Sequence, residues 1–216
     1  MRKTKIVCTL GPATDKEDVL EQLIASGMNV ARLNFSHGDY KEHKARMDKV
    51  KELRKKYNTQ TAIMLDTKGP EIRLGLFEQG EVILKENQKF TLYCTEYPGN
   101  EEGVSITYQD LYQDVAEGTT ILIDDGLVEM QVDEIKDKAI VCTVKNGGKI
   151  SGRKGVNVPN VKLSMPFLSE KDKEDILFGI QEDVDFIAAS FVRRADDIHK
   201  MRKYLNDHGG YDIHII

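Results

Sequence analysis

Apolar and polar positions over the first 66 residues alternate between two rhythms. Residues 5–10 (KIVCTL) are a short, β-branched apolar run closed by Gly11-Pro12, the profile of a buried parallel strand. Thr14 stands three residues before Glu17 as a capping box, Val19, Leu20, Leu23 and Ile24 repeat at helical spacing, and Gly27 supplies a stop. Residues 28–35 read as a second strand, and residues 39–57 as a charged helix with Met47, Val50 and Leu53 on one face. Residues 61–66 (TAIMLD) make a third strand of the same buried kind, so the opening segment is a series of βα units around a parallel sheet.

The rhythm changes over residues 71–166. Short β-rich runs at 81–84, 89–93, 119–123 and 139–144 are separated by turn signals at Pro98-Gly99-Asn100, Asp125-Gly126 and Asn146-Gly147-Gly148. The βα pattern then resumes. Ser169 caps a helix through Ile176, Leu177 and Ile180, residues 184–191 form a strand, a helix through Ile198, Met201 and Leu205 stops at Gly209-Gly210, and residues 212–216 begin another strand. The fold class expected is α/β: a partial (β/α) barrel with an inserted all-β, barrel-like domain. The boundaries expected are 1–70 for a first barrel segment, 71–166 for the insert and 167–216 for a second, unfinished barrel segment.

Composition narrows the function classes. With 216 residues and 40% hydrophobic content the chain can bury a sizeable core. Its 31 basic against 36 acidic residues give a net charge of −5, so nothing in the overall charge calls for nucleic acid or an anionic membrane. The cysteines Cys8, Cys94 and Cys142 are far apart with no zinc-type spacing, and read as reduced thiols of a cytoplasmic protein. The N-terminal apolar run is too short for a signal peptide, and no run reaches the roughly 20 residues of a membrane span.

Three clusters carry candidate chemistry. In NVARLNFSHG, Arg32, Asn34 and Ser36 alternate at the end of an apolar strand and project to one side. A guanidinium fork suits phosphate or carboxylate, while Asn and Ser oxygens suit a cation. Arg paired to an acid, with Asn and Ser capping the next helix, explains the same pattern, and spacing alone leaves both readings open. In LDTKGPEIR, Asp66 and Thr67 end a buried strand and are followed by Lys68, Glu71 and Arg73; barrel enzymes place catalytic groups there, although an Asp at a turn also bonds its own backbone. In SGRKGVNVPN, Arg153 and Lys154 lie in a Gly-bounded turn able to approach phosphates, though such a turn is usually only solvated. Asp124-Asp125-Gly126 reads as a hairpin turn rather than a metal site, and His43, His199, His208 and His214 read as surface or structural. His37 caps the next helix or contacts a ligand, and neither a Walker-A loop nor GxGxxG is present.

Taken together, KIVCTLGPAT, GMNVARLNFSHG, LDTKGPEIR, DDGLVEMQV, RKGVNVPN, MPFLSEKD and VDFIAASFVRR resemble, in order and spacing, the N-terminal part of pyruvate kinase. The resemblance covers nearly the whole chain. It implies a TIM-type barrel with a mobile β-lid inserted after the third strand, and transfer of a phosphoryl group from phosphoenolpyruvate to ADP, giving pyruvate and ATP. It implies that Arg32 binds the phosphate of phosphoenolpyruvate, and that Asn34, Ser36, Asp66 and the Thr67 carbonyl hold potassium. Asn34, Ser36, His37, Arg73, Lys154 and Asp125 become nucleotide contacts. Mg2+ or Mn2+ and K+ are the implied cofactors, ADP/ATP the co-substrate, and a homotetramer the implied assembly. Glu71 follows Pro70 where family members that need potassium carry Glu and the others Lys. The family's catalytic Lys and Mg-binding acids are expected after Ile216, so these residues alone are expected to be inactive. A non-catalytic phosphate- or nucleotide-binding role is the alternative.

Overall fold

The computed structural model describes residues 3–216. The chain divides into two compact units, one joining the residues up to Pro70 with Pro166–Ile216, the other Glu71–Met165. The first begins with β1 (Val7–Thr9), α1 (Val19–Ala25), β2 (Val30–Asn34), α2 (Tyr40–Tyr57) and β3 (Ala62–Asp66). The second contains β4 (Ile72–Arg73), β5 (Glu81–Leu84), β6 (Lys89–Tyr93), β7 (Gly103–Ser105), the short α3 (Leu111–Asp114), β8 (Thr120–Ile123), β9 (Val128–Lys136), β10 (Ala139–Val144), β11 (Gly148–Ser151) and β12 (Gly155–Asn157). The first unit then resumes with α4 (Glu170–Gln181), β13 (Phe186–Ala188), α5 (Ala195–Asp207) and β14 (His214–Ile215).

In the first unit the five strands run parallel in the order β1-β2-β3-β13-β14 and curl into a half-barrel. Side chains alternate across it. Ala31, Leu33, Ile63, Leu65 and Ile187 are fully buried and share one core with Ile24, Met47, Val50, Leu53, Ile176, Met201 and Leu205 of the helices. Local chemistry fixes the helix starts: Asp39 caps α2 by accepting from the Glu42 N–H at 2.8 Å. Ser169 and Asp172 form a reciprocal capping box on α4, and the wholly buried Asp172 also accepts from the Gly69 N–H at 2.9 Å. Gly69 sits at φ +69°, and a Cβ there would lie 2.7 Å from the Ser190 carbonyl oxygen, so the turn after β3 admits only glycine without rearrangement.

The second unit is built mainly from antiparallel pairing, with β6 and β7 parallel. Seven strands lie in the order β4-β12-β8-β9-β10-β6-β7, with β11-β5 as a separate pair. Alternation along β6, β8 and β10 sends Phe90, Leu92, Ile121, Ile123, Ile140, Cys142 and Val144 into a core of this unit's own. Burial pushes the Cys142 thiol up to about 12.

Three sequence expectations need correction. Thr14 is not a helix cap: its Oγ1 accepts from the Gly11 N–H at 2.9 Å, closing a turn, and α1 starts at Val19 after Asp18 in the left-handed region at φ 62°. The parallel strands are not buried on both faces. Their second face, carrying Arg32, Asn34, Asp66 and Ala188, is only partly covered, and β1 is an edge strand whose Val7 is 50% exposed. The strand expected over residues 184–191 is shortened to Phe186–Ala188, and the chain then turns at Ser190-Phe191, with Phe191 at φ 57°.

Candidate functional site

The partly covered face of the half-barrel is where the polar strand-end residues meet. Asn34 pairs in register with Asp66, Asp66 with Ala188, and Arg32 with Thr9, so all point to one side. The Arg32 Nε–H donates to Asp66 Oδ2 at 2.7 Å, Nη2 pairs with the same oxygen, and Nη1 donates to the Thr9 hydroxyl at 2.8 Å. A guanidinium has five N–H groups, so three engaged here leave two free on a side chain 31% exposed. The other Asp66 oxygen, Oδ1, accepts from the Ser190 hydroxyl at 3.0 Å. Ser190 also donates its N–H to Thr67 Oγ1 at 3.2 Å, while Thr67 donates N–H and hydroxyl to the Ala188 carbonyl.

Asn34 Oδ1 accepts from the Ser36 N–H at 3.0 Å, and the Asn34 carbonyl from the His37 N–H at 3.2 Å, which tightens the turn leaving β2. Arg32, Asn34, Ser36, Asp66 and Thr67 therefore occupy one end of two neighbouring strands. His37 is exposed in the turn that follows. Sequence reasoning missed Thr9 and Ser190. Both are small hydroxyls at strand ends beside Arg32 and Asp66, and the "TLG" and "AAS" strand ends were the available signal.

In the second unit, Arg73, Lys154 and Asp125 gather around the pairing of β4, β8 and β12. Gly155 pairs with Arg73, its carbonyl accepts from the Asp124 N–H at 3.0 Å, and the Lys154 carbonyl accepts from the Leu74 N–H at 2.9 Å. Arg73 donates to the Arg153 carbonyl at 2.7 Å and pairs with Glu71 at 2.7 Å. The hydrogen bond that Arg73 donates to Glu71, reinforced by the negative charges of Glu71 and Asp125, raises the Arg73 guanidinium above its usual range. Lys154 pairs with Asp124 at 3.0 Å, on the hairpin turn that also carries Asp125 at φ 55°. Among the described residues no group of three or more His, Cys, Asp or Glu side chains is placed to hold a metal ion, and no helix is long and apolar enough to cross a membrane.

A curled parallel sheet with helices on one face and polar groups at its strand ends defines the chain as part of a (β/α) barrel. The family model for the pyruvate kinase barrel domain matches residues 1–216. A pyruvate kinase of Clostridium perfringens is 48% identical over 217 residues, covering 100% of this chain and 46% of that protein. Pyruvate kinases of Staphylococcus saprophyticus and Geobacillus stearothermophilus are 52% and 51% identical, each over 100% of this chain and 37% of their own length. The chain spans less than half the length of these relatives, and it belongs to the pyruvate kinase family.

Proposed function

We propose that the full-length protein transfers the phosphoryl group of phosphoenolpyruvate to ADP, giving pyruvate and ATP in glycolysis. The observation that carries this reading is the Arg32–Asp66 pair at the strand ends, with Nε 2.7 Å from Oδ2 and two guanidinium N–H groups left over. Held flat by Asp66 and Thr9, the fork meets the phosphate of phosphoenolpyruvate in a fixed plane and neutralises charge on the group in transit.

The oxygens of Asn34, Ser36 and Asp66 and the Thr67 carbonyl fit potassium by their chemistry. They are hard donors with a single carboxylate, and that carboxylate is already shared with Arg32. So little net negative charge suits a monovalent ion better than a divalent one. When bound, potassium supplies positive charge beside the phosphate, and Mg2+ or Mn2+ neutralises the transferring group; no divalent-metal role is assigned to a residue of this chain. Glu71 supports a potassium requirement, because a carboxylate paired to Arg73 cannot replace the ion as a lysine ammonium would.

In the β-unit Arg73 and Lys154 are assigned to ADP phosphates, and in the half-barrel Asn34, Ser36 and His37 are assigned as nucleotide contacts. Asp125, which carries the same sign as the phosphates, serves only by accepting a hydrogen bond from a nucleotide donor. On this reading Glu71–Met165 is the inserted lid, and the intact enzyme is a cytoplasmic homotetramer whose thiols stay reduced.

A lactate-coupled assay tests the reading. The full-length protein consumes phosphoenolpyruvate only with ADP and potassium present, while residues 1–216 alone stay at the buffer blank. Full activity after potassium is replaced by a bulky organic cation, or phosphoenolpyruvate loss without ATP formation, contradicts it.

A further inference from the structure

Beyond the strand ends, one buried side chain ties the candidate cation loop to the rest of the fold. His43 lies on the first turns of α2, is 3% exposed, and was read from sequence as merely surface or structural. Its Nε2 lies 2.8 Å from the His37 carbonyl oxygen. A carbonyl only accepts, so Nε2 carries the proton and donates. Its ring stacks on Phe35 at 4.1 Å and 11°. A Cβ on Gly38, which sits at φ +79°, would come 3.3 Å from the same Nε2, so ring and turn are closed against each other. His43 thus grips residues 35–38 at two points, and that segment holds both Ser36 and the exposed His37.

We propose that His43 is a positioning residue for the potassium and nucleotide subsites, fixing the Ser36–His37 turn by its Nε2–H bond to the His37 carbonyl. The inference rests on the assignment of Ser36 to potassium made above. Geometry gives the reason such a device is needed. Asn34 is held by β2, and Asp66 by β3, but Ser36 lies two residues past the strand, where the Phe35 N–H bond to the Asp66 carbonyl, the Asn34 turn and His43 restrain it. A cation site tolerates little drift in one of its few oxygens, so a loosened Ser36 weakens ion binding first. Burial keeps the ring neutral by lowering its pKa, and the charged groups facing it are Glu42 and Arg46 from α2 and Asp175 from α4.

His43 also offers a clean dissection. Its other nitrogen, Nδ1, is buried without a protein partner, so the Nε2 bond and the ring stack are its two contributions. His43→Phe keeps a ring against Phe35 and loses the donor. His43→Gln loses the ring and places an amide N–H near the position of Nε2. Stability responds to both; positioning responds to the donor.

The test uses the full-length enzyme with Ser36→Ala as a parallel reference. In His43→Phe the potassium concentration for half-maximal activity rises roughly tenfold, as expected for losing one buried hydrogen bond, while kcat at saturating potassium stays near that of the parent. In His43→Gln most of that shift is recovered. Amide exchange, which needs no turnover, rises at Ser36, His37 and Gly38 in His43→Phe and is restored in His43→Gln. Unchanged potassium dependence and unchanged exchange in His43→Phe overturn the proposal, as does equal impairment of the two variants. If Ser36→Ala leaves the potassium dependence unaltered, the cation assignment fails first; loosened exchange in His43→Phe then shows a structural tie only, and the positioning role is overturned with it.

Discussion

The two units solve the burial of a sheet in opposite ways. In Glu71–Met165 neighbouring strands in sequence are often neighbours in space, as with β8–β9 and β9–β10, and the unit's apolar residues meet one another in a core of their own. In the other unit each pair of successive parallel strands is separated by a helix, and only one face of the sheet is packed. The face left partly covered carries Arg32, Asn34 and Asp66 rather than Leu and Ile. The lesson is that the local, self-covering unit is built for stability, whereas the half-barrel places polar groups where a closed core would otherwise put apolar ones.

The largest consequence is in folding. Residues 71–165 expressed alone should unfold cooperatively as a monomer, because their core needs nothing outside them. The 216-residue chain should self-associate, since β1 and β14 are open edges and one sheet face is only partly covered. Size exclusion and thermal unfolding check both, and a monomeric chain with protected amides throughout the half-barrel would contradict the contrast. Next in size are core truncations. Leu33→Ala and Leu92→Ala each remove a fully buried leucine and should each cost about 2–5 kcal/mol. Leu33→Ala should leave the melting of the β-unit untouched, and Leu92→Ala should lower it.

How far this division was legible in the sequence depends on how local its causes are. The βα rhythm, the β-rich insert and the shared side of Arg32, Asn34 and Ser36 all follow from spacing within a few residues. The Thr14–Glu17 pattern misled, because Gly11 offered the Thr14 hydroxyl a nearer partner than a helix N-terminus. Alternation could not reveal that the strands lack cover on one side, as that depends on what packs there. Ser190 lies 124 residues from Asp66, so only the fold shows that they meet, and His43, 6 residues from His37, gives no sign in the sequence that its ring turns back onto the His37 carbonyl. The β9–β10 turn was hidden too: Asp137 and Lys138 adopt φ 51° and 62°, a conformation that sequence signals assign to Asn-Gly.

Smaller effects sharpen the contrast. Burial depresses the His43 pKa below its ordinary 6.5, so the unfolded chain takes up this proton at a higher pH than the folded one. Its contribution to stability is complete above about 6.5 and is lost as pH falls toward the lower folded value, by at most about 1.4 kcal/mol per pH unit. Denaturant melts between pH 7 and 5 should show this slope in the half-barrel, and His43→Phe should remove it. The smallest effect belongs to the β-unit, where Lys138→Gly relieves a left-handed non-glycine residue and should add about 0.5–1 kcal/mol, measurable as a rise in its melting temperature.

The claim that the half-barrel strand ends hold the reacting phosphate is tested most directly by kinetics of two variants of the full-length enzyme. Arg32 stands on a strand and is clamped by Asp66 and Thr9, whereas Lys154 projects from a turn with Asp124 as its ion-pair partner. Arg32→Ala should lower kcat/KM for phosphoenolpyruvate by about a hundredfold or more, the scale of one lost donor group in the transition state. Lys154→Ala should act mainly on the KM for ADP. Equal losses toward phosphoenolpyruvate in the two variants would contradict the account.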